Sequence, residues 1–231
     1  MRFVAYPEAR ALHESQGYDE LLGVWPEYLL HDRVSNQYWS RLYTDFPAFQ
    51  FLALDGERVI GEANCVPVRG LPAAWRDAFP NAWEGDGAPD RLCALAIIVA
   101  PASRGTGVSA RLLRHMRGLA APFGTLVAPV RPTLKERYPL ISIGAYASWR
   151  RPDGSHVDPW IRTHERAGGQ IIRPAEDAMV IEGSRDEWEA WTGLEFPGEG
   201  DYVVPGALAP VRFAGGRGTY REPCVWIEHR I

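Results

Sequence analysis

The sequence predicts an α/β fold in which a β-hairpin is followed by strands that alternate with helices. Residues 92–99 form a nearly continuous apolar run, which is typical of a strand buried on both faces. A glycine-containing turn follows, and residues 110–121 then have helix-like spacing. Residues 125–130 form a second short apolar run. With 231 residues, the chain is long enough to bury one substantial core.

The first part of the chain predicts helices and then a hairpin. Apolar residues recur at intervals of three and four within residues 8–46, which is typical of helices. These residues are Leu21, Leu22, Trp25, Tyr28 and Leu29. Residues 49–54 and 58–68 are strand-like, and the Asp55-Gly56-Glu57 turn between them indicates a hairpin. Residues 70–89 are rich in Pro, Gly and Trp, which predicts a long loop with a helical turn.

A second long connection, residues 131–157, leads to a helix over residues 159–166. Asp158 is suited to cap this helix, and Pro159 fits its first position. Gly168-Gly169 ends the helix.

The last part of the chain predicts a hairpin, a short helix and a second hairpin. Residues 171–172 and 179–181 are expected to be paired strands. Ser184 and Glu187 have the spacing of a capping box at the start of a short helix. The remainder is an irregular segment with a final hairpin that turns at Gly215-Gly216.

Composition and charge exclude several classes of protein. A net charge of −4 gives no global basic field, so nucleic-acid binding is not expected. No apolar run is long enough to span a bilayer, and the N-terminus lacks a signal-peptide core, so no membrane association is expected. Cys65, Cys93 and Cys224 are few, odd in number and without zinc-ligand spacing. We therefore expect a cytoplasmic protein without a metal.

The strongest chemical signal is the turn between the first apolar strand and its helix, Arg104-Gly105-Thr106-Gly107-Val108-Ser109. The first N–H groups of a helix have no partner within it, and the helix dipole adds positive charge there. Glycines let the backbone approach a phosphate, and an arginine suits phosphate oxygens. The turn is neither a Walker loop nor a dinucleotide fingerprint, because both the glycine spacing and the flanking residues differ.

This turn resembles the acyl-CoA pyrophosphate loop of the GNAT superfamily of N-acyltransferases. That loop reads Arg/Gln-x-x-Gly-x-Gly/Ala after a strand that ends in an apolar residue, any residue and Pro. Here Arg104 and Gly107 match, Pro101 ends the strand motif, and Ser109 replaces the usual Gly or Ala. Runs in the second half of the chain are similar to an actinobacterial GNAT subgroup. Two of them are Asp158-Pro159-Trp160-Ile161-Arg162-Thr163-His164 and Val204-Pro205-Gly206-Ala207-Leu208-Ala209-Pro210.

The resemblance implies a GNAT acyl-CoA N-acyltransferase fold, with a mixed central sheet flanked by helices and a C-terminal extension. Residues 1–183 would form the acyltransferase domain, and residues 184–231 an extension packed on it. Acetyl-CoA or another acyl-CoA would be the co-substrate. Its pyrophosphate would bind to residues 104–109, and the backbone of Ile98 and Val99 would hold its pantetheine arm between two splayed strands.

The resemblance also indicates two candidate catalytic residues. Many GNAT enzymes deprotonate the amine with a carboxylate, and the nearest one to the central strand is Glu62, on the run before the long loop. The other reading of Glu62 is a surface residue of an alternating strand. His164 stands where the family often has the tyrosine that protonates the leaving thiolate. The other reading of His164 is a packed core histidine.

These observations together predict an acyl-CoA-dependent N-acyltransferase that transfers an acetyl group to a small-molecule amine. The amine would attack the thioester directly in a ternary complex. A homodimer is a separate expectation. Aromatic residues of the two long loops would line the acceptor side: Trp75, Trp83, Tyr138, Tyr146 and Trp149. Two alternatives remain open. One is an acyltransferase that takes its acyl group from a carrier protein or an aminoacyl-tRNA. The other is a module that binds acyl-CoA without catalysis.

Overall fold

The computed structural model describes residues 1–13, 21 and 23–231, and within them one mixed sheet has nine strands. The strands are β1 (Arg2–Ala5), β2 (Gln50–Asp55), β3 (Arg58–Val68), β4 (Arg91–Val99), β5 (Thr125–Val130), β6 (Gln170–Ser184), β7 (Gly200–Tyr202), β8 (Val211–Ala214) and β9 (Arg217–Arg230). The described helices are α1 (Tyr6–His13), α2 (Arg33–Tyr38), α3 (Leu42–Asp45), α4 (Ala78–Glu84), α5 (Val108–Leu119), α6 (Ile143–Ala147), α7 (Pro159–Arg166) and α8 (Arg185–Thr192). Over these same residues, no helix combines the length and the apolar character needed to cross a membrane.

Most predicted elements are confirmed, and the differences have physical causes. Asp158 caps α7 by accepting from the backbone N–H groups of Trp160 and Ile161, and Ser184 forms the predicted capping box of α8. The two short strands expected near residues 171 and 179 are one long strand, β6, because irregularities in its pairing let it follow β9. The strand β1 was not predicted, and the opening helical region is broken into short helices. Leu22, expected within it, lies outside the described residues.

The centre of the sheet opens into a V. The strand order is β1-β2-β3-β4-β5-β9-β8-β7, and β6 pairs with β9. Strands β4 and β5 are parallel and pair only at Leu92 with Leu126 and at Cys93 with Val127, near the start of each strand. Beyond Cys93 the two strands separate, so the second half of β4 has no partner on this edge among the described strands.

A β-bulge lies where β4 begins to leave β5. The register between β3 and β4 shifts between Asn64 and Cys65, which leaves Leu95 of β4 as the extra residue. The indole Nε1 of Trp75 donates a hydrogen bond to the Leu95 carbonyl oxygen at 2.9 Å. The loop after β3 therefore helps to fix the bulged strand.

The two faces of the sheet carry different helices. The first, here named the α5 face, is covered by α5, α6 and α7, which share one apolar cluster with the strands. The opposite face, here named the α4 face, is covered by α2, α3 and α4. Gly61 of β3 is on the α5 face, because a Cβ there would lie 3.1 Å from Leu112 Cδ1. Since neighbouring residues of a strand point to opposite faces, Glu62 is on the α4 face.

The C-terminal strand β9 lies inside the sheet. Its residues 225–230 pair with β5 and its residues 217–219 with β8, while its other edge pairs with β6. Residues 184–231, expected as an extension packed on residues 1–183, thus share one sheet with them, and residue 183 lies within β6. The elements α8, β7 and β8 form an arm inserted between β6 and β9. The arm has its own apolar cluster, which includes Tyr28 and Trp188.

Candidate active site

The loop from β4 to α5 has a backbone that leaves the start of α5 open. Gly105 and Gly107 have φ angles of +76° and +84°, in the left-handed region that favours glycine. Gly107 is the N-cap of α5, and no side chain caps this end of the helix. The Thr106 hydroxyl donates to the Ser103 carbonyl oxygen at 2.7 Å and holds the turn. The first N–H groups of α5 are therefore left for an external acceptor.

The side chains of this loop divide between solvent and core. Arg104, Gly105, Thr106 and Gly107 are exposed, Ser109 is half-buried and Val108 is buried. Within the described part of the chain, no carboxylate forms an ion pair with Arg104. An uncompensated guanidinium beside the start of a helix suits a phosphate. The loop has the local geometry and charge for the predicted pyrophosphate site.

Ile98 and Val99 lie at the open end of the V. Ile98 is opposite Glu62 of β3, and Val99 is opposite Gly61. On its other edge β4 is separated from β5 here, as described above. The backbone groups of this half of β4 are placed to pair with an extended chain inserted into the V, which is the role expected of them for pantetheine.

Glu62 is a buried carboxylate that accepts hydrogen bonds from Tyr43 and Asn64. Its side chain is 1% exposed. Its Oε1 accepts from the Tyr43 hydroxyl at 2.8 Å and from Asn64 Nδ2 at 3.0 Å. The Tyr43 ring also contacts the ring of Tyr6, with 4.7 Å between centroids. These contacts fix the carboxylate on the α4 face beside Ile98, where β4 faces the open V.

His164 lies elsewhere, in a buried pair with His229. Its Nδ1 is 2.9 Å from His229 Nε2, and Trp160 meets its ring edge-on. Burial, with the neighbouring His229, holds the pKa of His164 well below its usual range, and burial lowers the pKa of His229 to about 4. His229 is opposite Leu126, at the closed end of the V.

The structure therefore separates the two predicted catalytic residues. Glu62 lies on the α4 face at the open half of β4. His164 lies on the α5 face. Its partner His229 shares one face of β9 with Val225 and Ile227, which belong to the α5-face cluster, because every second residue of a strand points to the same side. The catalytic roles of both residues stay predictions.

Sequence reasoning missed a buried polar cluster beyond the end of β5. The Arg131 guanidinium donates to a Glu222 carboxylate oxygen and to the Gly206 carbonyl oxygen. The Tyr220 hydroxyl donates to the other oxygen of Glu222 and accepts from the Leu208 N–H at 2.9 Å. Glu222 is buried in β9, and Arg131 follows β5 directly. No local pattern indicates this cluster, because its members meet only when β9 enters the sheet.

The two aromatic loops lie on different faces. Trp75 and Trp83 pack in the α4-face cluster. Tyr146 belongs to the α5-face cluster, with Trp149 packed against it, and its hydroxyl donates to Asp158 at 2.9 Å. Only the first loop therefore shares the face of Glu62.

A mixed sheet that opens into a V, beside a glycine turn at the start of a helix, defines the class of the GNAT N-acyltransferases. No family model matches the chain. Arginine N-acetyltransferase avaD of Aspergillus versicolor is 33% identical to it over 249 aligned positions, which cover 90% of this chain and 86% of that protein. This chain belongs to the GNAT superfamily.

Solved structures agree with this assignment. The loading GNATL domain of CurA from Lyngbya majuscula matches with a TM-score of 0.62 at 16% identity, over 99% of this chain and 96% of that one. The GphF GNAT-like decarboxylase in complex with isobutyryl-CoA matches with a TM-score of 0.60 at 17% identity, over 100% and 99% of the two chains. At such identities these likenesses show the fold. The predicted fold class is confirmed, and the protein is an N-acyltransferase.

Proposed function

We propose that the protein transfers an acetyl group from acetyl-CoA to a small-molecule amine, and that free arginine is the acceptor. The observation that supports arginine as the acceptor is the 33% identity to an arginine N-acetyltransferase along 90% of this chain. The relative supports arginine as the first acceptor to test.

In the proposed reaction, donor and acceptor approach from opposite faces of the sheet. The loop of residues 104–109 receives the pyrophosphate at the start of α5, and the backbone of Ile98 and Val99 pairs with the pantetheine arm in the V. The amine enters from the α4 face, where Glu62 lies beside Ile98. Because the V joins the two faces, the amine can meet the thioester there.

Glu62 is the proposed general base. A protonated amine is not a nucleophile, so a carboxylate must take its proton, directly or through water. Tyr43 and Asn64 hold one oxygen of Glu62 in place. His164 is the sequence-based candidate for protonating the leaving thiolate. Its burial against His229 favours a packing role, and the variant His164→Phe distinguishes packing from proton transfer.

The test is an assay of CoA thiol release from acetyl-CoA with a panel of amines. The panel contains arginine, agmatine, ornithine, lysine and an aminoglycoside, and the products are identified by mass. We expect arginine to give the highest kcat/KM, with one acetyl group added per thiol released. If another amine is preferred, the arginine assignment is wrong. If no amine releases thiol above hydrolysis, acetyl transfer to a small amine is wrong as well.

The proposal also concerns location and assembly. The three cysteines are free and buried, which supports a reducing compartment such as the cytoplasm. A homodimer stays a prediction, and sedimentation equilibrium of the purified protein tests it. Cell fractionation with a cytoplasmic marker tests the location.

A further inference from the structure

Two neighbouring strands place buried amide side chains beside Glu62. Gln50 of β2 pairs directly with Asn64 of β3, and Asn64 is two residues beyond Glu62. Directly paired residues of antiparallel strands point to the same side of a sheet, and so do residues two apart on one strand. All three side chains therefore lie on the α4 face, and each is at most 1% exposed.

Hydrogen bonds determine the orientation of both amides. Asn64 Nδ2 donates to Glu62 Oε1 at 3.0 Å. Gln50 Nε2 donates to the carbonyl oxygens of Phe46 at 3.0 Å and Cys65 at 2.8 Å. If either amide were turned over, its own oxygen would face these acceptors. The neighbours therefore distinguish the nitrogen of each amide from its oxygen.

The amide oxygens are buried acceptors that lack a donor. Asn64 Oδ1 and Gln50 Oε1 have no hydrogen-bond partner among the described residues. Such a buried acceptor costs free energy until a donor reaches it, and most native acceptors have a partner. The described donors beside them are already used, since both amide nitrogens donate as above and the Tyr43 hydroxyl donates to Glu62. A ligand that fits here must bring its own donors.

The surroundings of this site favour a positively charged ligand. Glu62 supplies a carboxylate, and beside it the half-buried rings of Tyr6 and Tyr43 contact each other, with 4.7 Å between centroids. The faces of aromatic rings attract cations. An ammonium or guanidinium group combines positive charge with several N–H donors. It therefore matches both the charge and the hydrogen-bonding capacity of the three side chains.

The position of the site relates it to the acceptor. Asn64 is opposite Ala96, the residue that follows the bulge at Leu95. The spacing of neighbouring strands is about 5 Å, so Asn64 lies this distance from β4, whose other edge borders the V. A nitrogen bound here is on the face from which the acceptor is proposed to enter, and it is next to the proposed base Glu62.

We propose that Asn64 and Gln50, together with Glu62, bind the cationic nitrogen group of the acceptor. The inference rests on the proposed function and deepens it, because it makes two neutral amide residues determinants of acceptor specificity. Arginine carries two such groups, an α-ammonium and a guanidinium, and the experiment identifies which of them is bound.

The experiment is calorimetry of the CoA-bound protein with arginine, Nα-acetylarginine and citrulline. We expect Asn64→Leu and Gln50→Met each to weaken arginine binding about tenfold or more, since each removes a hydrogen bond to a charged group. Affinity for CoA should stay within about twofold. Nα-acetylarginine lacks the α-ammonium, and citrulline lacks the guanidinium charge. The one that binds wild type and is weakened by the variants shows which cation the site holds.

The matched control is Asn81→Leu, in α4. The amide of Asn81 bonds to the backbone of Arg69, accepting from its N–H at 2.8 Å and donating to its carbonyl oxygen at 2.9 Å. Its loss should lower the temperature of unfolding and leave arginine affinity unchanged. Thermal unfolding shows that each variant is folded at the temperature of the titration, and two test variants on different strands keep the comparison possible if one of them is unstable.

Two results would overturn the inference: wild-type arginine affinity in both test variants, or an equal loss in Asn81→Leu. If arginine is acetylated by wild type and by both test variants with the same acceptor KM, only this inference fails. If wild type prefers another amine, the arginine assignment fails, and the inference stands only if the variants raise the KM of that amine. If wild type neither binds nor acetylates any amine tested, the proposed function and the inference fail together.

Discussion

The proposed catalytic role of Glu62 can be tested separately from the packing of its side chain. The change Glu62→Gln keeps the shape and the carbonyl oxygen that Tyr43 and Asn64 donate to, but removes the basic carboxylate. We expect kcat for acetyl transfer to fall at least about a hundredfold, because general-base catalysis contributes on this order. Affinity for CoA should stay within about twofold. Steady-state kinetics and calorimetry measure the two quantities, and an unchanged pH–rate profile would remove Glu62 from the mechanism.

For His164, the structure and the family position predict different results. The side chain is 2% exposed and contacts His229 at the closed end of the V. We therefore expect His164→Phe to keep kcat within a few-fold of wild type and to lower the free energy of unfolding. A loss of about a hundredfold in kcat with an intact fold would instead support proton transfer by His164.

The histidine pair also predicts how stability depends on pH. Both pKa values are lowered in the folded state, so the unfolded chain binds more protons once the pH falls below about 6.5. Stability from the buried neutral pair is present above that pH and is lost as the pH falls towards 4, by about 3 kcal/mol for His229 alone. Urea unfolding at pH 7.5, 6 and 5 measures the slope. The double variant His164→Phe/His229→Leu should have a shallower slope, and an equal slope would contradict this account.

At the scale of elements, the loop between β4 and α5 gives a second prediction. Arg104→Ala should weaken CoA binding about ten- to a hundredfold, because a charge-assisted contact is worth about 1.5–3 kcal/mol. Gly107→Val should weaken binding further. Valine is strained at the φ of +84°, and its side chain would enter the space in front of α5. Calorimetry with CoA measures both. Wild-type affinity in Gly107→Val would contradict the cofactor assignment.

This element was predictable because its signal is local. A strand, a glycine turn and a helix follow one another between Arg91 and Leu119, so residues close in sequence carry both the shape and the charge. The bulge at Leu95 was not predictable, because it depends on a shift of register with β3 and on a hydrogen bond from Trp75. The pairing of His164 with His229 joins residues 65 apart in the chain, and no local pattern indicates it.

At the scale of the whole molecule, the place of β9 predicts the effect of truncation. A chain that ends after Gly183 lacks the strand that pairs with both β5 and β6. Both edges would expose unpaired backbone groups, together with the apolar surface that Val225, Trp226 and Ile227 bury. We expect this truncated chain to be insoluble or to unfold without a cooperative transition, as measured by circular dichroism and urea titration.

The matched control removes the inserted arm and keeps β9. Ser184 and Arg217 are directly paired, so residues 185–216 can be replaced by a two-residue Asn-Gly turn. This variant loses the contacts of Arg131 and Lys135 with the arm. It should be less stable but still unfold cooperatively and bind CoA. If the truncated chain folds as well as this control, residues 184–231 are a separable extension.

The sequence indicated that residues 184–231 are too apolar to be disordered, but it did not indicate where they pack. Strand identity is a local property, whereas the partner of a strand is set by the whole sheet. A final hairpin at Gly215-Gly216 was predicted and is confirmed. The second strand of this hairpin also pairs with β5. Local sequence patterns do not indicate this pairing, because it depends on how the whole sheet is assembled.

The position of β9 inside the sheet delays the pairing of β5 during synthesis. Val127 of β5 pairs with Glu228, which lies about 100 residues later in the chain. At translation rates of about 5–20 residues per second, β5 is made roughly 5–20 s before its partner. During that interval the nascent chain carries an open sheet edge at β5. Chaperone access during translation should therefore raise the yield of folded enzyme.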